Sequence, residues 1–97
     1  MMSVYLIQQK ILFGTQKYKI GTCTKNKLTN IKLIHKECIV VCLSSVPNPK
    51  QTEKTLLDVF KNKYIEVSEQ GYFEGNVFEM LCDYMKIVLM NTYKYQS

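Results

Sequence analysis

The stretch Val4–Thr22, VYLIQQKILFGTQKYKIGT, decides the fold. It reads as two strands joined by a turn at Gly14. In the first strand, Ser3 to Gln9, the side chains of Val4, Leu6 and Gln8 fall on one face and those of Tyr5, Ile7 and Gln9 on the other. Both faces are largely apolar, so this strand belongs in the middle of a sheet. The second strand, Thr15 to Thr22, carries Tyr18 and Ile20 on a core face and Lys17, Lys19 and Gly21 on a basic face.

Downstream, Thr24 is placed to cap a short helix running to about His35, with Leu28, Ile31 and Ile34 or His35 inward and Lys25, Lys32 and Lys36 outward. His35, the only histidine, ends that helix, where an imidazole interacts favourably with the C-terminal dipole. Glu37 to Ser45, ECIVVCLSS, is β-branched and apolar on both faces and reads as a strand buried in the middle of the domain or covered by a helix. Asn48 as N-cap and Pro49 at the first helical position start a helix to about Tyr64. Its apolar stripe is Leu56, Leu57, Phe60 and Tyr64, and Glu53 projects from the same face. An inward carboxylate must be hydrogen-bonded, paired or metal-bound, because burying it unpaired is costly. Alternatively, a glutamate in the first turn is favoured by the macrodipole and reaches solvent. Ile65 to Glu74 reads as a loop or short edge strand bounded by glycines. A last helix begins at Asn76, with Glu79 completing a capping box, and carries Val77, Phe78, Leu81, Tyr84, Met85, Val88 and Leu89.

These elements make one domain over residues 1–97 of the α+β class: a small antiparallel sheet of about three strands with helices packed on it, in the order ββαβαα. No apolar run approaches the roughly 18 residues of a membrane span, and the N-terminus lacks a leader pattern. The expected location is intracellular, cytoplasmic or nuclear. Cys23, Cys38, Cys42 and Cys82 lack the spacing of a zinc site and read as reduced, mostly buried core thiols, with Cys38 and Cys42 on the same face of their strand.

The net charge of +5 comes from lysine alone, since the chain has no arginine, alanine or tryptophan. Lysine, isoleucine, asparagine and tyrosine dominate, the usage expected of an AT-rich genome and in keeping with a viral source. Through Lys54 nine lysines face only Glu37 and Glu53, whereas from Thr55 onward four lysines face six acids. A basic N-terminal half is what a phosphate-backbone contact surface needs, and it is equally the composition of a solvated surface without a partner.

Ser3-Val4-Tyr5 and Lys19-Ile20-Gly21 resemble the paired signatures of the GIY-YIG nuclease superfamily, in the variant branch of phages and large DNA viruses whose opening reads VYLI and whose second signature reads YKIG. Glu53 in PKQTEKTLLDVF and the late GYFEG, with Tyr72, Phe73 and Glu74, follow in the family's order, so the resemblance runs from about Val4 to Met80. It implies an endonuclease fold in which Tyr5 orients or activates the nucleophile, Lys19 stands in for the second tyrosine, and Glu53 holds Mg2+ or Mn2+. It further implies that Tyr72 and Phe73 shape the substrate groove. The family's helix arginine falls at Asn30, and Gly71 stands where the branch often carries an acid. Lysine lacks the planar fork with which arginine grips phosphate oxygens. The expectation is therefore a catalytically degenerate nuclease fold that binds nucleic acid, DNA before RNA, through Lys17, Lys19, Lys25, Lys32 and Tyr72, in a virus-infected host cell. The alternatives are an active divalent-metal-dependent endonuclease and a protein-interaction module that dimerises or binds a partner through its last helix.

Overall fold

The computed structural model describes residues 3–23 and 37–96. The expected helix from Thr24 to His35, with Lys25, Lys32 and His35, lies outside the described residues. β1 (Ser3–Gln9) leads through a single 3-10 turn (Lys10–Leu12) to β2 (Lys17–Cys23). β3 (Cys38–Ser45), α1 (Pro49–Lys63), β4 (Ile65–Ser68), β5 (Tyr72–Glu74) and α2 (Val77–Gln96) follow. The sheet is antiparallel throughout, with strand order β3-β1-β2-β5-β4. Among the described residues no helix is long and apolar enough to cross a membrane.

The fold is of the expected α+β class, but the sheet has five strands rather than about three. The difference lies in the segment read as a loop or short edge strand. Phe73 is fully buried against Phe60, with ring centroids 5.5 Å apart, and this anchor holds β5 to β2 while β4 folds back on β5. Strands of three and four residues carry too short an alternation to be distinguished from loop.

β1 is buried from Ser3 to Gln8, between β3 and β2, as its two apolar faces require. Of the two readings of β3, buried in the middle of the domain or covered by a helix, the first is corrected: β3 ends the strand order and Ile39 is 51% exposed, while α2 covers one face through Tyr84. A bulge also changes its alternation. Ile7 pairs with Val40 and Leu6 with Cys42, leaving Val41 as the extra residue. Cys38, Val40 and Leu43 therefore pack with Tyr5, Ile7 and Cys23, whereas Val41 and Cys42 pack with the main core. Cys38 and Cys42 stand on opposite faces, not on one. The four cysteines form no disulfide; contrary to the expectation of mostly buried thiols, only Cys23 is buried, and Cys82 is exposed.

The main core joins Val4, Leu6, Ile20 and Phe73 of the sheet to Leu56 and Phe60 of α1 and to Met80, Tyr84, Ile87 and Val88 of α2. The Tyr84 hydroxyl meets Val4 O and Ser44 Oγ, each at 3.0 Å, and pins α2 across β1 and β3. α2 is rotated relative to the stripe read from sequence: Met80 and Ile87 are inward, while Phe78, Met85 and Leu89 are exposed. At the other end of the helix pair, the Tyr64 hydroxyl donates to Asp83 Oδ2 at 2.5 Å and Lys63 Nζ pairs with the same carboxylate at 2.9 Å.

Candidate functional site

The second face of the sheet, opposite the main core, carries the residues singled out in sequence. Alternation on β1 and β2 puts Tyr5, Lys17, Lys19 and Gly21 there, and the register sets Tyr5 directly opposite Gly21. Gly21 is buried, and a Cβ on it would lie 2.5 Å from Tyr5 Cζ and closer still to the phenol oxygen. The phenol end of the Tyr5 ring thus lies against the glycine. Glycine is needed here because of that close approach.

β5 pairs with β2 only from Lys17 to Lys19. Beyond that point the β4–β5 turn bends around the β2 edge, with Ile20 N donating to Gly71 O at 2.9 Å. Gly71 has φ 93°, and a Cβ on it would meet Ile20 O at 2.7 Å. Any side chain at this position would be strained against that backbone. The same turn holds Lys19, whose Nζ donates to Gln70 O at 2.6 Å and lies 4.5 Å from the centroid of the Tyr72 ring. The Tyr72 hydroxyl in turn donates to Gln9 Oε1 at 2.8 Å.

α1 delivers the carboxylate. Asn48 Oδ1 accepts from Gln51 N at 3.2 Å and Pro49 opens the helix, as the sequence indicates. Thr52, Leu56 and Phe60 form the fully buried line. Glu53 and Leu57 form the next line, half-buried, and Leu57 lies beside Gly71. One turn earlier, Glu53 accordingly borders the β2 edge within electrostatic reach of Lys19. Because the helix starts at Pro49, Glu53 is past the first turn, so stabilisation by the macrodipole does not account for it.

The charges of this group act on one another. Burial pushes the Tyr5 phenol up to about 12, with the neighbouring Cys23, Glu53 and Tyr72 adding to the rise. Burial also raises the Glu53 carboxyl, an effect that the Lys19 ammonium opposes. Burial lowers Lys19, and Glu53 opposes that shift. Among the described residues the two do not form a contact ion pair, so each acts on the other through its field. At neutral pH Tyr5 is a protonated hydrogen-bond donor and a poor general base.

The chain matches no family model, no curated protein and no solved structure.

Tyr5, Lys19 and Tyr72 share this face, and Glu53, on the helix that packs against the other face, comes within electrostatic reach of Tyr5 and Lys19 at the β2 edge. Lys17 stands on the same face as Lys19, directly opposite Glu74 of β5. Lys25 and Lys32 lie outside the described residues. Sequence reasoning missed Gln9 and the Gln70 carbonyl. Gln9 had a signal, being polar on the face it shares with Tyr5 and Ile7, whereas a backbone carbonyl leaves none.

The group offers a phenol donor, one lysine ammonium and one half-buried carboxylate. Among the described residues no three His, Cys, Asp or Glu side chains cluster as a metal cage. A single carboxylate fits Mg2+ or Mn2+ only in the manner usual for magnesium, completed by water and substrate phosphate.

Proposed function

We propose that this chain is a nucleic-acid-binding protein on a GIY-YIG-like nuclease fold, viral in origin, which holds the phosphate backbone of DNA and has lost turnover. The observation that carries this reading is that Tyr5 of β1 packs against Gly21 of β2, while Glu53 of α1 lies within electrostatic reach of both Tyr5 and Lys19. Lys19 supplies the charge on a phosphate oxygen, Lys17 extends the basic face, and Tyr5, buried beside Gly21, supports the strand that carries Lys19. Two features argue for binding without cutting. The chain has no arginine to fork across the phosphoryl oxygens, and burial keeps Tyr5 protonated rather than poised as a base.

The second reading, a divalent-metal-dependent endonuclease, is favoured by the Glu53 carboxylate, which borders Lys19 without pairing to it. In that case Glu53 holds Mg2+ or Mn2+, which stabilises charge on the phosphoryl oxygens, while Lys19 orients the phosphate. A scaffold used for protein contacts finds its support in the exposed Phe78, Met85, Leu89 and Met90 of α2.

Labelled single- and double-stranded DNA and RNA, incubated with either metal and with wild-type or Glu53→Gln protein, separate the first two readings. Intact substrate with a salt-sensitive band shift is expected. Cleavage that Glu53→Gln abolishes makes the chain an enzyme, and the absence of both binding and cleavage leaves the protein-contact reading.

A further inference from the structure

Tyr72 stands on β5 directly opposite Lys19 of β2, yet its hydroxyl reaches Gln9 at the end of β1. β5 and β1 flank β2 on its two sides, so they are about 9–10 Å apart. The phenol must therefore lie across β2, and its ring covers the sheet surface beside Lys19. The ammonium of Lys19 rests 4.5 Å from the ring centroid and is tied from the other side by the Gln70 carbonyl at 2.6 Å. A free surface lysine has a long, mobile stem that must be immobilised when it binds. Here that ordering is completed on folding.

We infer that Tyr72 is a positioning residue: its ring, locked across the sheet by Gln9, holds the Lys19 ammonium at a fixed point on the Tyr5 face of the sheet for contact with a phosphate. This deepens the nucleic-acid reading and rests on it for the phosphate. The orientation of Lys19 does not depend on it. Stacking of a base on Tyr72, the other use of such a ring, requires no coupling to Lys19.

Two experiments on the full chain decide the point. In protein without nucleic acid, the ε-methylene protons of Lys19 are expected to be shifted upfield from those of the other lysines by the ring current. That shift should be lost in Tyr72→Leu and reduced alike in Tyr72→Phe and Gln9→Leu, which remove the same hydrogen bond. An unshifted Lys19 in wild type, or a shift surviving Tyr72→Leu, overturns the inference.

In binding to a labelled single-stranded oligodeoxynucleotide and to its duplex, Tyr72→Leu is expected to weaken affinity roughly three- to tenfold, the range of a cation–π contact. It should cause no further loss in a Lys19→Ala background. An equal loss in both backgrounds assigns Tyr72 to base stacking and overturns the inference. If wild type binds neither oligonucleotide, the functional reading fails, and the proton shifts alone decide whether Tyr72 positions Lys19.

Discussion

Replacing Gly21 with alanine tests the geometry of the site without reference to any ligand. The added methyl would lie 2.5 Å from Tyr5 Cζ and 2.8 Å from Cε1, where carbon atoms normally rest about 3.5–4.0 Å apart. The ring must retreat by about 1 Å. Tyr5 is only 3% exposed and packs with Ile7 and Cys23, so it has no solvent to move into. Overpacking of this kind costs about 1–3 kcal/mol, and the lower backbone entropy of alanine in the unfolded chain returns about 0.4–1 kcal/mol. A net loss of about 1–2 kcal/mol is expected, a fall in Tm of roughly 5–15 °C for a domain of this size. Urea titration followed by circular dichroism measures it, with Tyr5→Leu as the second arm of a double-mutant cycle. Once the ring is gone the methyl has room, so Gly21→Ala should cost nothing further in the Tyr5→Leu background, and the cycle should return a coupling above about 0.5 kcal/mol. A neutral Gly21→Ala, or two losses that simply add, would refute the packing of Tyr5 against Gly21 and with it the frame of the site.

Gly71→Ala combines a strained φ with a backbone contact at Ile20 O, and should cost more than Gly21→Ala, at least about 2 kcal/mol, in the same titration. Glu53→Gln should slightly stabilise the protein at pH 7, by less than about 1 kcal/mol. Burial raises the folded pKa of Glu53, so its contribution is favourable below the ordinary 4.5 and is lost as pH rises through the folded value. The gain from the glutamine should accordingly vanish in acid, and a destabilised Glu53→Gln at neutral pH would point to a structural ion pair instead. Asp83 behaves oppositely. Burial alone would raise its pKa, but the hydrogen bonds from Tyr64 and Lys63 outweigh burial and hold it below the ordinary 3.8. Its contribution is present above that value and is lost as pH falls through the folded pKa. Tyr64→Phe, which removes the hydroxyl donated to Asp83, should cost about 1 kcal/mol at pH 7 and less near pH 3, as read from Tm against pH.

The sequence was most legible where a periodicity ran long enough to be read. β1 and β2, of seven residues each, were long enough to be read as strands, β1 by its two apolar faces and β2 by its alternation, and the faces assigned to Tyr5, Lys17, Lys19 and Gly21 follow from the period of two. The Asn48-Pro49 pair marks the start of α1 by local chemistry alone. β4 and β5 were legible only as one loop or short edge strand, because their pairing depends on Phe73 meeting Phe60, a contact between residues remote in sequence. The bulge at Val41 has no marker among the β-branched residues around it, so the faces of Cys38 and Cys42 could not be separated. At the site, the meeting of Tyr5, Lys19 and Glu53 was expected only from the order of the signatures in a family resemblance. The Gln9–Tyr72–Lys19 chain arises from a tyrosine lying across a neighbouring strand, which no spacing in the sequence encodes.

The central claim, that Lys19 on the Tyr5 face of the sheet grips a phosphate, is tested most directly by the salt dependence of binding. Affinity for a labelled DNA duplex should be measured between about 50 and 200 mM salt for wild type and Lys19→Ala, with log K plotted against log salt. The account predicts a linear decline for wild type and a slope shallower by about 0.9 for the variant, the share of one phosphate contact. Equal slopes, or an affinity indifferent to salt, would contradict it.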